Sequence, residues 1–200
     1  MRGSVKYLPS VFLCLVVLGF SLPAAAQDVP MVEVSGGYNY LRGSIPREEH
    51  GGAKETASFT NGWYVDLGIN TPKPKKMLAV VGQVNMNRKT IEGEEASQRG
   101  FMGGVRLNSR AVQRTVLFVQ FLAGGINSKF GNAGDGFDEW TMFYTTQIGG
   151  GVSIMTTEKV GIRLGVDFLQ VHGKHDSTIL NDDFNMVRVS GGIVLPFGTR

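Results

Sequence analysis

Cysteine is nearly absent: the chain of 200 residues has one, Cys14. A single thiol closes no disulfide and offers no cysteine cluster to a metal. Charge is also scarce. Charged residues are 18% of the chain, against about 25% in an ordinary soluble domain. The basic residues form no dense patch interleaved with aromatics, so no nucleic-acid partner is expected. Histidine occurs three times, as His50, His172 and His175. Their spacing assembles no ligand set, so neither a metal nor another cofactor is expected. Long apolar runs are missing as well. The one run of note, VFLCLVVLGF at 11–20, is too short for a membrane-spanning helix.

What is present starts with that run. Arg2 and Lys6 precede it and Ala24, Ala25 and Ala26 follow it. A positive start, a short apolar core and small residues at its end make a secretory signal peptide over 1–26, with cleavage expected after Ala26. Cys14 lies inside the run after Leu13, away from any lipidation position, and leaves with it. The formal charge of +3 falls to +1 once Arg2 and Lys6 are discounted, with 18 basic residues against 17 acidic.

Residues 27–200 read as one domain built on period two. The last stretch, 184–197 (FNMVRVSGGIVLPF), puts Val187, Val189, Gly191, Ile193, Leu195 and Phe197 on one face. Arg188, Ser190, Gly192, Val194 and Pro196 fall on the other. Seven further segments alternate, at about 31–41, 60–70, 77–87, 99–108, 115–126, 140–154 and 160–171. Most are near the length a tilted strand needs to cross a bilayer. The connections alternate too. Those at 42–59, 88–98, 127–139 and 172–183 are long and hold most of the acids. Those at 71–76, 109–114 and 155–159 are short, and the first two are basic. Short turns on one side and long connections on the other are the rhythm of an up-and-down barrel.

Alternation alone does not say which face points inward, since a soluble ligand-binding barrel also alternates. The chemistry of the polar face is more telling. It carries Glu33, Ser35, Asn39, Asp66, Gln83, Asn85, Arg106, Gln120, Gln147, Arg163, Asp167 and Arg188, with several glycines and no lysine. A solvated face would be rich in Lys and Glu; glycine, amides and matched ions suit a crowded interior. The opposite face, with Val65, Leu67, Val105, Leu164, Val166, Val189 and Ile193, has no charge. A cation there would cost about 2–4 kcal/mol at a bilayer midplane. Tyr38, Tyr40, Trp63, Trp140, Tyr144 and Phe168 lie near strand ends beside the long connections, where amphipathic rings meet a membrane boundary. The expected fold is therefore all-β: a closed antiparallel up-and-down transmembrane β-barrel of eight strands. An open sheet edge would leave backbone groups unpaired in hydrocarbon, so the first and last strands must pair.

Ser190, Gly192, Leu195 and Phe197 fill the four defined positions of a C-terminal pattern: polar, any, Gly, any two, apolar, any, aromatic. On that pattern and the eight-strand rhythm, the chain resembles the small outer-membrane β-barrels of the OmpA/OmpX type over about 31–200. The match departs in one respect, because Gly198, Thr199 and Arg200 follow the aromatic that usually ends such chains. The resemblance implies recognition by the barrel-assembly machinery. It also implies a Gram-negative-type outer membrane, with its lipids and lipopolysaccharide as surroundings and both termini periplasmic.

Candidate site residues follow from the barrel. Glu33, Asp66 and Asp167 face Arg106, Arg163 and Arg188 in the interior, where an unpaired charge is expensive. Cross-strand pairs are expected, with Arg163 or Arg188 meeting Asp167 or Glu33, as a structural plug of the lumen; the competing expectation is a gated pore. His175-Asp176-Ser177 is similar to the His-any-Ser of outer-membrane lipid A deacylases. It sits in a connection, and Thr178 stands where that family has Asn, so no catalytic set is assigned. Gly134 to Asp138 lacks the acidic spacing of a calcium loop. The long connections could meet an extracellular partner. The role expected is structural or interactive rather than enzymatic. The alternative is a soluble periplasmic, lipocalin-like barrel holding an apolar ligand.

Overall fold

A computed structural model describes residues 30–46, 54–71, 78–91, 94–112, 114–129, 141–172 and 183–199. Eight strands account for nearly all of them: β1 Pro30–Pro46, β2 Lys54–Asn70, β3 Leu78–Ile91, β4 Glu94–Val112, β5 Thr115–Lys129, β6 Thr141–Met155, β7 Gly161–His172 and β8 Phe184–Thr199. Apolar β-branched and aromatic residues dominate the outward positions, and the amides and ions of the strand centres fall on the inward ones, so the segments fit pleated strands with two unlike faces.

Each strand pairs antiparallel with its neighbours in sequence, and β1 pairs with β8 to close the barrel. Closure pairs the edges that an open sheet would leave bare. The strands are staggered. Starting at Glu33 and crossing Gly68, Val81, Gly104, Leu122, Gln147, Leu169 and Met186 along the ladders, the path returns to β1 at Gly43, ten residues further on. Such a stagger tilts the strands and fixes a bore narrow enough for side chains to fill.

At the closing seam Gly37 faces Gly192. A Cβ on either would strike the backbone of the other strand. Glycine is required there by the closeness of the two chains, whatever else Gly192 contributes.

Two of the long connections turn out to be largely strand. β1 and β2 stay paired as far as Pro46 and Lys54, leaving 47–53 between them. β3 and β4 stay paired as far as Ile91 and Glu94, leaving 92–93. The expected boundaries stopped where apolar alternation stopped. Backbone pairing does not need apolar side chains, so the ladders run on through Arg88, Lys89 and Gln98. β4 likewise continues to Val112, where the expectation had a turn from 109. The connections at 47–53, 92–93, 130–140 and 173–183 share one end of the barrel, called distal here. The proximal end carries 71–77, 113–114 and 156–160.

The described proximal contacts are short and well bonded. Arg114 takes φ 71° between β4 and β5, and its carbonyl accepts from Met155 N at 2.7 Å. Thr157 Oγ1 accepts from the backbone N–H of Val160 at 3.1 Å, closing the β6–β7 turn. Inside that end, Asn70 donates to the Pro30 carbonyl at 2.9 Å and accepts from Asn108 at 3.1 Å.

The core lies inside the barrel, and polarity is inverted relative to a water-soluble protein. The buried set includes Glu33, Asp66, Arg106, Arg163, Asp167 and Arg188, none more than 6% exposed. The exposed set includes Leu67, Val80, Phe101, Ile148, Leu164, Val166, Val189 and Ile193. Of the expected boundary aromatics, Tyr38 and Trp63 are exposed and face each other across β1 and β2. Tyr144 and Phe168 are exposed on β6 and β7. Trp140 lies outside the described residues.

Candidate functional site: a chain of ions in the lumen

The six charged residues come from five strands: Glu33 on β1, Asp66 on β2, Arg106 on β4, Arg163 and Asp167 on β7, and Arg188 on β8. Period two turns each inward, and the stagger brings residues distant in sequence to touching distance. Arg163 donates to Glu33 Oε2 at 2.8 Å and to Asp66 Oδ1 at 3.3 Å. Arg106 holds the same aspartate with both terminal nitrogens, at 3.3 and 3.1 Å. Arg188 grips Asp167 Oδ2 through Nε at 3.1 Å and Nη2 at 2.7 Å.

Gln120 joins the two halves. Its Oε1 accepts from Arg106 Nε at 3.0 Å and Nη2 at 2.8 Å, and its Nε2 donates to Asp167 Oδ1 at 2.9 Å. The result is one continuous chain: Glu33, Arg163, Asp66, Arg106, Gln120, Asp167, Arg188. Three carboxylates face three guanidinium groups, so the chain is formally neutral. Ser153 and Ser35 accept from Arg163 at 2.8 and 3.1 Å. Both guanidinium groups lie over the Phe118 ring, Arg106 at 4.9 Å and Arg163 at 5.1 Å from its centroid. A ring face accepts cationic charge, and the two guanidinium groups also share one oxygen, Asp66 Oδ1, at 3.3 Å each. Charge-assisted bonds of this kind offset the desolvation that buried ions suffer.

The lumen also has parts that the sequence reading did not assign. On β7 the inward positions after Arg163 and Asp167 are Leu169 and Val171, both buried. With Leu41, Phe59, Ile126, Phe143, Phe184 and Met186 they form an apolar cluster inside the barrel. These members lie distal to the ions along their strands, and the cluster continues beside the ions through Val81 and Ala79, the latter paired with Arg106. Carrying the alternation two residues past Asp167 would have found it. Phe59 needed more than counting. A bulge opposite Asn39 and Leu41 leaves Thr60 and Asn61 both exposed and shifts Phe59 inward.

Around the ions runs a belt of buried amides. Asn39, Asn85, Asn87, Gln98 and Gln147 each bury an amide atom that has no partner among the described residues. Arg188 Nη1, Thr145 Oγ1 and Tyr64 OH are in the same condition. Buried polar groups in folded proteins are nearly always bonded, and water in a polar bore suits such atoms.

The four residues of the C-terminal pattern all lie on β8, divided between its faces. Ser190 points inward and donates to the Gly165 carbonyl at 3.4 Å. Gly192 sits at the closing seam. Leu195 and Phe197 point outward opposite Val34 and Val32. His172 stacks on Tyr144 with centroids 5.6 Å apart and lies 3.2 Å from Asp183. No group of three His, Cys, Asp or Glu that could hold a metal occurs among the described residues. His50, the segment 134–138, the triplet His175-Asp176-Ser177 and the leader at 1–26 lie outside the described residues.

The sequence matches no family model and no curated protein. Solved structures do match. Neisserial surface protein A superposes with a TM-score of 0.58 at 12% identity, over 83% of this chain and 97% of that one. AlkL, determined in lipid bilayers, superposes with 0.51 at 13% identity, over 90% and 95%. The attachment invasion locus protein Ail of Yersinia pestis gives 0.49 at 13%, over 82% and 97%. At such identities the first two establish the fold: the chain is built as a small outer-membrane β-barrel is built.

Proposed function

We propose that the chain is a small integral protein of a Gram-negative-type outer membrane. Its lumen is plugged by the ion chain, its distal connections face the exterior, and both termini lie on the periplasmic side. Its role is structural or interactive, through those distal connections and an extracellular partner of unassigned chemistry. The observation that carries this reading is the inverted wall: six ions buried inside, and Leu, Val, Ile and Phe outside. In water such a surface would form an apolar patch far beyond a few hundred Å². In hydrocarbon it is the expected lining. The soluble alternative, a barrel carrying an apolar ligand, requires the reverse distribution.

Cell fractionation tests the reading. The unheated protein should be recovered with outer membranes and migrate as a compact gel species that heating converts to the unfolded one. Release with the soluble periplasm would overturn it. Planar-bilayer recording tests the plug: the wild type should show no steady conductance, and Arg163→Ala should show none either, because Arg106 and Arg188 still fill the bore. Stable channels in Arg163→Ala would favour the gated-pore reading.

A further inference from the structure

The outer wall is not uniform at its closing seam. Where β1, β8 and β7 meet near the distal end, a groove of about 480 Å³ opens sideways on the barrel. Its walls are Tyr40, Phe168, Val187 and Val189, with Arg42 and Asn185 at its edge. The ladders explain the shape. Tyr40 pairs with Val189, Arg42 with Val187, and Phe168 with Val187, so two rings flank a track of small valines. Arg42 is exposed and makes no ion pair or hydrogen bond with a described residue.

An apolar trough with a guanidinium at its distal edge, unpaired among the described residues, selects a particular ligand. The trough suits an acyl chain, and the aromatic ring of Tyr40 suits the boundary where chain meets headgroup. The guanidinium suits a phosphate oxygen pair, which it binds in a planar, bidentate way. We propose that this groove binds one phosphorylated glycolipid of the outer leaflet, the lipid A part of lipopolysaccharide, with its phosphate on Arg42 and an acyl chain along Val187 and Val189. The site rests on the orientation given under the proposed function, which puts the distal end in the outer leaflet. It goes beyond general contact with lipid, because it assigns one seam and one cation.

Native mass spectrometry of the full barrel, released from detergent with equal amounts of diphosphoryl lipid A and phosphatidylcholine, tests it. The wild type should retain one lipid A in preference to phosphatidylcholine. Arg42→Ala should lower that retention about tenfold, the scale of one charge-assisted contact. Val187→Trp should lower it too, by filling the trough without touching charge. Arg99→Ala removes an exposed arginine on β4, three strands away, and should leave retention unchanged. Equal retention in the wild type and Arg42→Ala overturns the site, as does equal retention of both lipids. Equal losses in Arg99→Ala and Arg42→Ala also overturn it, since they show diffuse surface charge. Gel migration on the same samples separates the two failures: a compact, heat-modifiable barrel without lipid A preference sinks the site alone. A protein that never inserts into lipid vesicles sinks the membrane reading with it.

Discussion

The Asp167 carboxylate lies over the bare Cα of Gly149, its ladder partner on β6. A Cβ at that position would collide with Asp167 Oδ1. Gly149 is therefore part of the ion chain although it carries no side chain. Gly149→Ala should push the carboxylate away from Arg188 and Gln120 and leave buried charge partly unpaired. Breaking a buried pair costs about 3–5 kcal/mol. The midpoint of urea unfolding in detergent should fall accordingly. Gly82, where an added Cβ meets nothing within 4 Å, is the control, and Gly82→Ala should leave the midpoint nearly unchanged.

Arg163 is the most connected member of the chain, touching Glu33, Asp66, Ser153 and Ser35. Arg163→Met should cost about 3–5 kcal/mol, because it breaks the buried pairs with Glu33 and Asp66 at once. Adding Glu33→Gln removes the Glu33 charge. The double variant should recover a large part of the loss, and the coupling between the two sites should appear as a non-additive cycle. Additive losses would mean that Glu33 is satisfied without Arg163.

How far the barrel could be read from sequence depends on which residues carry contrast. Arg188 beside Val187 and Val189, or Asp167 beside Val166 and Phe168, announces an inward charge on an apolar strand. The eight strands and the inward side of the ions were legible for that reason. Leu169 and Val171 carry no such contrast and are reached only by counting on from Asp167, because an apolar residue on the inner face resembles one on the outer face. The long ladders through Lys89 and Gln98 carry polar residues on both faces, so nothing in the pattern distinguishes them from a loop. Pairwise contacts such as Arg106 with Asp66 depend on the stagger of ten residues, and period two does not encode stagger. Gln120 was legible as an inward polar residue, but its bridging place between Arg106 and Asp167 needed the assembled lumen.

Leu164 and Val166 test the outer wall directly. Both are about half exposed on β7, flanking the inward Gly165. In a water-facing strand, Leu164→Arg would be close to neutral. In a hydrocarbon-facing strand it should cost about 2–4 kcal/mol if it lies near the midplane, and less toward either boundary. Refolding titrations into lipid vesicles should show that loss for Leu164→Arg and a smaller one for Val160→Arg, just outside β7 on the proximal side. Equal, negligible effects at both positions would contradict a lipid-facing wall.

Phe197 separates an address from a structural contact. It is 51% exposed, sits opposite Val32 at the seam, and is touched little by the lumen. Its removal should therefore disturb stability only modestly, by about 1 kcal/mol or less, the scale of surface changes away from cores and networks. If the residue is read by the barrel-assembly machinery, Phe197→Ala should lower the folded yield in outer membranes of living cells by several-fold. Spontaneous refolding of the purified variant into vesicles should proceed to nearly the wild-type end point. Gly192→Ala makes the contrasting case: a methyl there meets the backbone of Gly36 and Gly37, so it should fail in vesicles as well as in cells. Deleting the residues after Phe197 removes only the last rung of the closing ladder, Pro30 with Thr199, and should leave both yields nearly intact. If Phe197→Ala instead refolds as poorly in vesicles as Gly192→Ala, the ring serves closure of the seam and not recognition.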